Sequence, residues 1–131
     1  MRNLFFVLLS FFMLCSCSSM RFQSEGHIRQ SLIKQTPFGS SPELVLNFLK
    51  NYHYKNFGGS EPKYNKGPAI AHDQEGKCIF IGKRSIGPIL LDHYSVPVDG
   101  FQVEMCVLVF WAFDEKDKLI NVLVSKELDT P

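Results

Sequence analysis

The sequence predicts an α+β fold in which two N-terminal helices pack on one face of an antiparallel β-meander of three to four strands. Two capped helical patterns come first, and strongly alternating strand patterns fill the C-terminal half. Helices that precede a run of neighbouring strands are typical of α+β domains, because the strands form one sheet and the helices cover it. A chain of 131 residues fits one such domain.

The first helix is predicted over residues 25–35. Ile28 and Leu32 are spaced i, i+4 and share one helical face, and Ser24 directly before the helix is a good N-cap. Pro37 disfavours helical geometry at the residue before it, so the helix is expected to end there.

The second helix has the clearest start signal and is predicted to run to about Asn51. Ser40 and Glu43 can form a capping box. Alternatively, Ser41 is the cap and Pro42 takes the first helical position, where its missing N–H has no consequence. An apolar stripe follows at Leu44, Val45, Phe48 and Leu49.

Residues 52–76 read as a long loop, because glycines and prolines interrupt the segment repeatedly. Tyrosine is enriched at interfaces, since it combines a rigid apolar ring with a polar tip. The segment therefore offers a candidate partner-binding patch made of Tyr52, Tyr54, Phe57 and Tyr64. The open alternative is that one or two of these rings simply cover the sheet edge or the helix ends.

The predicted strands begin with the apolar run Cys78–Ile81, which Ile86–Tyr94 continues after an interruption. A turn is predicted over residues 97–100, followed by the strongest strand, Phe101–Phe113. Every odd position of that strand is apolar, so one face is expected to be core throughout. A polar turn leads to a partner strand over Leu119–Glu127, with the core face formed by Ile120, Val122 and Val124.

The N-terminal segment has the architecture of a secretory signal. Arg2 precedes an apolar run from Leu4 to Leu14, which is shorter than the roughly 20 residues of a membrane span. Cys17 has Leu14 three residues before it and Ser16 directly before it, which resembles the bacterial lipobox. Cys15 follows a bulky leucine and is a poorer acceptor. A conventional signal peptide with a chance cysteine is the alternative.

The lipobox resemblance implies a signal peptide over residues 1–16 and a diacylated cysteine at Cys17. Residues 17–25 would be the acylated cysteine and a tether, and residues 26–131 a single domain. Ser18, rather than aspartate, follows the cysteine. In that class of signals this favours the outer membrane, so a bacterial envelope protein that faces the periplasm is expected.

The balance of charges and the number of cysteines limit the classes of function that the sequence suggests. Removal of residues 1–16 would leave 13 basic and 13 acidic side chains, a balance that gives no indication of nucleic-acid binding. Cys78 and Cys106 would remain besides the acylated cysteine. An oxidising compartment permits a disulfide between them, and two buried thiols are the alternative.

No motif predicts a catalytic residue, a metal site or a cofactor. The four histidines lack the spacing of a metal motif, and no phosphate-binding loop or nucleophile elbow is present. The two His–Asp neighbour pairs are interpreted as solvated residues. An enzyme with a cryptic site would have to use His72, Asp73, Asp92 and His93.

Two stretches carry a family resemblance. Residues 39–45 resemble the Gly-x-Ser-x-x-x-Val stretch of the small SmpA/OmlA-type, BamE-like envelope lipoproteins. The segment from Trp111 to Leu119 resembles the final hairpin of many small envelope lipoproteins. The resemblance implies a lipid-anchored protein with two helices before an antiparallel meander, as in β-lactamase-inhibitor-like folds. The resemblance also implies a role as an accessory of outer-membrane β-barrel assembly, and the leading interpretation is a non-enzymatic protein-binding or assembly-accessory module that binds another envelope protein. A periplasmic enzyme inhibitor or an immunity-like protein is the alternative.

Overall fold

The structure is a computed structural model, and it describes residues 20–52, 61–72, 75 and 77–128. A 3₁₀ turn, Met20–Phe22, precedes the two helices, which are α1 (Glu25–Gln35) and α2 (Pro42–Asn51). The strands are β1 (Tyr64–Asn65), β2 (Ala69–His72), β3 (Cys78–Gly82), β4 (Arg84–Val98), β5 (Phe101–Phe113) and β6 (Leu119–Leu128).

Both helices begin at the predicted positions because serine hydroxyls cap them. The Ser24 Oγ atom accepts a hydrogen bond from the backbone N–H of His27 at 3.1 Å. Of the two caps weighed for α2, Ser41 is the one used, since its hydroxyl accepts from Leu44 N and Pro42 occupies the first turn. Each cap satisfies an N–H that the helix itself leaves without a partner.

The α+β class is confirmed, with two N-terminal helices and a four-stranded antiparallel sheet. The strand order of that sheet is β1-β4-β5-β6. The predicted bounds of β5 are correct, and β6 ends one residue later than predicted. Strand β4 is longer than expected and runs to Val98, so the turn between β4 and β5 consists of Asp99 and Gly100 alone.

The interpretation of residues 52–76 as a loop is wrong in part, because β1 and β2 lie within it. Tyr64 and Asn65 pair with Ile86 and Ser85 at the start of β4. Strand β2 pairs with β3 in a separate two-stranded sheet. Of the glycines and prolines that suggest a loop, Gly67 and Pro68 lie between β1 and β2.

One cluster of buried side chains includes residues from both helices and from β4, β5 and β6. The largest of them is Trp111, which is fully buried as the alternation of β5 predicts. The helices contribute Ile28, Leu32, Val45 and Leu49 to this cluster. The sheet contributes Ile86, Ile89, Leu91, Val107, Val109, Trp111, Phe113, Leu119, Val122 and Val124.

Two details of the predicted core face are wrong. Ile120 is 49% exposed, whereas its neighbour Leu119 is only 1% exposed. The register shifts between Ala112 and Phe113, and this irregularity places Leu119 opposite Phe113. The face of β5 is also not core throughout, since Phe101 at its start is 75% exposed.

Polar groups of the N-terminal half form hydrogen bonds with the backbone at the outer edge of β6. The Arg29 guanidinium donates to the carbonyl of Val122 at 2.8 Å, and the N–H of Lys126 donates to the Glu25 carboxylate at 3.0 Å. The backbone of Leu119 pairs with the connection between the two helices, through Gly39 and Ser40. An edge strand that is occupied in this way is a poor template for pairing with another chain.

Candidate binding surfaces

Among the described residues, the outer half of the β4–β5 hairpin carries exposed apolar side chains, Val98 and Phe101, at its tip. Pairing between β5 and β6 ends where Met105 meets Leu128. Beyond that point, and among the described residues, β4 and β5 pair only with each other, out to Val98 opposite Phe101. We call residues 94–105 the arm.

The turn at the tip of the arm has a defined conformation. Asp99 has a φ of 48° and Gly100 a φ of 82°. Two successive positive φ angles are the signature of the tight two-residue hairpin turn that an Asp-Gly pair favours. The arm therefore ends in a compact turn rather than in a loop.

The two sides of the arm differ in chemistry. One side carries three cross-strand apolar pairs, Tyr94 with Met105, Val96 with Val103 and Val98 with Phe101. The pairs between them carry Ser95, Pro97, Gln102 and Glu104, so the opposite side is largely polar. Exposure rises towards the tip, where Val98 is 46% and Phe101 75% exposed. Side chains this apolar are rarely left in water in a contiguous strip without a function.

The polar side holds a histidine ring contact that bears on the enzyme alternative. The Nε2 atom of His93 lies 3.2 Å from a carboxylate oxygen of Glu104, and the Ser95 hydroxyl binds the same carboxylate. Asp92, the expected neighbour, accepts instead from the backbone N–H of His93 at 2.8 Å. A carboxylate between hydroxyl and imidazole does not form the nucleophile–base contact that activates a serine.

The other residues of the enzyme alternative cannot be placed in such a site. His72 lies in β2, where only the backbone is described, and Asp73 lies outside the described residues. The negative charge of Asp92, second to burial, raises the pKa of the Tyr52 phenol. The described contacts place the His93 ring beside Glu104.

Two of the four candidate rings, Tyr52 and Tyr64, pack against the core cluster. Tyr52 follows the end of α2, and its ring centroid lies 5.5 Å from that of Phe48. The Tyr64 ring meets the Phe113 ring edge-on, also at 5.5 Å. These two rings thus cover a helix end and a sheet edge, as the alternative interpretation allowed. Tyr54 and Phe57 lie outside the described residues, and their role as binding residues stays a prediction.

The Tyr64 hydroxyl belongs to a polar cluster at the opposite end of the sheet from the arm. It donates to the Asp117 carboxylate, which also binds the Arg84 guanidinium at 2.6 Å. These two hydrogen bonds lower the pKa of Asp117, and burial together with the bond to Asp117 raises that of Tyr64. The cluster joins β1 and β4 to the β5–β6 turn, so its role is structural. No sequence motif predicts this cluster, because the three residues are far apart in the chain.

The predicted disulfide is not settled by the fold. Cys106 is buried on β5, with His93 of β4 and Glu127 of β6 as its cross-strand neighbours. The backbone of Cys78 pairs with His72 in the two-stranded sheet. The bridge between Cys78 and Cys106 therefore stays a prediction. Cys17, the predicted lipidation site, lies outside the described residues.

Within the described ranges, no group of three or more His, Cys, Asp or Glu side chains is arranged to hold a metal ion. No helix in this part of the chain combines the length and the apolar character needed to cross a membrane. Comparison with protein-family models, with curated proteins and with solved structures finds no match for this chain.

Proposed function

We propose that this protein is a lipid-anchored lipoprotein of the bacterial envelope that faces the periplasm and acts as a non-enzymatic protein-binding or assembly-accessory module. The observation that carries the proposal is the run from Leu14 to Cys17 after a basic start and a short apolar stretch. Acylation at Cys17 would hold the domain at the outer membrane. The domain itself need not enter the bilayer, since buried methylenes of the acyl chains supply about 0.8 kcal/mol each.

The fold is consistent with the resemblance to BamE-like lipoproteins, and we propose that both helices pack on one face of the main sheet. The shared core cluster supports this arrangement, as does a buried hydrogen bond from the Trp111 indole N–H to the Thr36 hydroxyl at 3.1 Å. Arg29 of α1 also reaches β6 at the carbonyl of Val122. The opposite face would then be left to the two-stranded sheet and to partners.

Partner capture is proposed to involve the segment between Tyr52 and Tyr64. Both of these rings are fastened to the core, so the residues between them start and end at fixed points of the domain. Tyr54 and Phe57 are the remaining aromatic side chains of that segment. Aromatic side chains held at interfaces often dominate binding energy, which makes these two the proposed contacts.

A periplasmic enzyme inhibitor or immunity-like protein is the alternative, since the same surface could occupy the active site of an enzyme. The two possibilities differ in the identity of the partner. Cross-linking in intact cells, followed by identification of the captured protein, separates them. Capture of envelope-assembly proteins supports the accessory role, whereas capture of one soluble hydrolase supports inhibition.

Fractionation of two cysteine variants tests the anchor. Cys17→Ala should accumulate as an unprocessed precursor or lose its membrane association, because the acyl acceptor is absent. Cys15→Ala is the matched control, since it removes a thiol two residues away and leaves the proposed acceptor intact. Normal maturation and membrane association of Cys17→Ala would overturn the proposal.

A further inference from the structure

The apolar side of the arm, residues 94–105, lies on the side of the sheet that carries the core cluster. Tyr94 packs against that cluster, and the successive pairs Val96–Val103 and Val98–Phe101 continue the same side outwards. Helix α1 begins beside Lys126, whose N–H binds the Glu25 carboxylate. Because Lys126 pairs with Val107, the start of the helix lies level with the inner end of the arm, and the outermost pair of the strip, Val98 and Phe101, is exposed.

The chain enters the domain at this same point. The Lys126 ammonium donates to the carbonyl oxygen of Met20 at 2.9 Å, and it lies 5.7 Å from the centroid of the Tyr94 ring. Met20, the first described residue, is thereby held at the base of the arm. Phe22, two residues on, is itself 79% exposed.

Chain length then fixes how far the proposed anchor can lie from the arm. Cys17 precedes Met20 by three residues, which span at most about 10 Å when fully extended. The arm extends four residues from Tyr94 to Val98, or about 13 Å at the rise of a strand. The acyl chains would therefore be attached within about 10 Å of Met20, a distance similar to the length of the arm.

We infer that the apolar side of the arm lies in the interface of the bilayer that holds the acyl anchor, with Val98 and Phe101 in contact with lipid. The inference rests on the lipid anchor proposed above. An apolar strip backed by a polar face can lie in the plane of the interface, where apolar burial and headgroup contact both contribute. Glu104 faces away on the polar side, and Asp99 at the turn stays at the level of the headgroups.

Basic groups at the base of the arm suit this orientation. Arg21 lies over the Phe22 ring, with its guanidinium carbon 5.4 Å from the ring centroid, and Lys126 lies over Tyr94. A cation beside an exposed aromatic ring matches the boundary between phosphate headgroups and acyl chains. Lipid would therefore contact both aromatic rings and cationic side chains at the base of the arm, next to the proposed anchor.

Tryptophan fluorescence in the full-length acylated protein tests the inference. Trp111 is the only tryptophan and is fully buried, so its emission is a constant background. Phe101→Trp places a reporter on the arm. Phe38→Trp is the matched control, because Phe38 is 52% exposed and precedes Gly39, which pairs with Leu119 at the far end of β6. Both variants are placed in phosphatidylcholine vesicles with and without brominated lipid.

The added emission of Phe101→Trp should shift to shorter wavelength in vesicles and fall at least twofold with brominated lipid, while that of Phe38→Trp should change little. Equal quenching of both variants, or none at Phe101→Trp, overturns the inference if the protein floats with the vesicles. A short-wavelength emission that persists without lipid also overturns it, because another protein surface then covers the arm. Failure of the wild-type protein to float would overturn the anchor itself, and the inference with it.

Discussion

Thr36 and Trp111 show how one side-chain pair connects the N-terminal half to the sheet. The Thr36 hydroxyl donates to the carbonyl of Leu32 at 2.7 Å and accepts from the Trp111 indole N–H at 3.1 Å. Both residues are fully buried. A buried indole N–H needs a partner, and the hydroxyl that supplies it also stabilises the end of α1.

Thr36→Val should destabilise the fold by about 1–3 kcal/mol, because it keeps the side-chain shape and leaves the Trp111 N–H without an acceptor. A double-mutant cycle with Trp111→Phe isolates the bond. Urea unfolding should give a coupling of about 0.5–1.5 kcal/mol, the net value of a buried hydrogen bond. A coupling of zero would show that the indole and the hydroxyl do not interact.

Asp117 should make stability depend on pH. Its folded pKa is lowered from 3.8 by the hydrogen bonds from Tyr64 and Arg84, so folding favours the charged form. That contribution is present above the ordinary pKa and is lost as the pH falls through the lower folded value. Asp117→Asn should therefore unfold at lower urea than wild type at pH 7, and this difference should shrink below about pH 4.

Asp99→Asn at the exposed tip of the arm is the control for loss of a single carboxylate. It should unfold close to wild type across the same pH range. An Asp117→Asn difference that stays constant from pH 7 to pH 2 would contradict the account, because the cluster would then act through shape and not through charge.

At the scale of elements, local signals predicted the helices and the β5–β6 hairpin. Serine caps and a proline defined the helix starts, and period-two alternation defined Phe101–Phe113. Strand β1 could not be predicted, because two residues that pair with β4 some 20 positions later carry no local pattern. The burial of Leu119 in place of Ile120 could not be predicted for the same reason, because an irregular register is set by the partner strand.

The candidate binding surface was only partly predictable for a related reason. The sequence showed that Phe101, Val103 and Met105 share an apolar face, which was interpreted as core. Alternation identifies the face of a strand but does not reveal where the elements that cover it begin. The arm extends beyond the start of α1, so this face is exposed towards its tip.

Gly87 lies at an irregular point of β4 that only glycine fits. Its φ is +129°, and an added Cβ would lie 2.6 Å from the carbonyl oxygen of Val109. Gly87→Ala should thus destabilise by about 1–3 kcal/mol or more, the range for a backbone forced into a sparsely populated region. Gly26→Ala in α1 is the control, because a Cβ there meets nothing within 4 Å. Helix propensity predicts a gain of about 0.5–1 kcal/mol for the control, and equal urea midpoints would contradict both expectations.

Among the aromatic side chains from Tyr52 to Tyr64, some should stabilise the fold and others should bind the partner. Tyr64→Ser should lower stability by about 1–3 kcal/mol, since it loses a half-buried ring and an edge-on contact with Phe113. The double variant Tyr54→Ser/Phe57→Ser should stay within about 0.5 kcal/mol per site and yet weaken partner capture by more than tenfold. Urea unfolding and co-purification are measured side by side. Strong destabilisation by the double variant would show that these rings also belong to the core.

At the scale of the whole molecule, the proposed anchor would connect a small α+β domain to the membrane by a very short segment. Two residues, Ser18 and Ser19, lie between Cys17 and Met20, and the Met20 carbonyl accepts from the Lys126 ammonium at the base of the arm. So short a tether would limit both rotation and distance from the bilayer. The domain would present the same side to lipid throughout, and its remaining surface would face partners in the periplasm.

Mass spectrometry of the mature N-terminal peptide from cell membranes tests the lipid anchor most directly. The mature chain should begin at Cys17, with the added mass of a diacylglycerol thioether and an amide-linked acyl chain on that residue. A mature protein that begins at another residue, or an unmodified Cys17 at its N-terminus, would contradict the central claim.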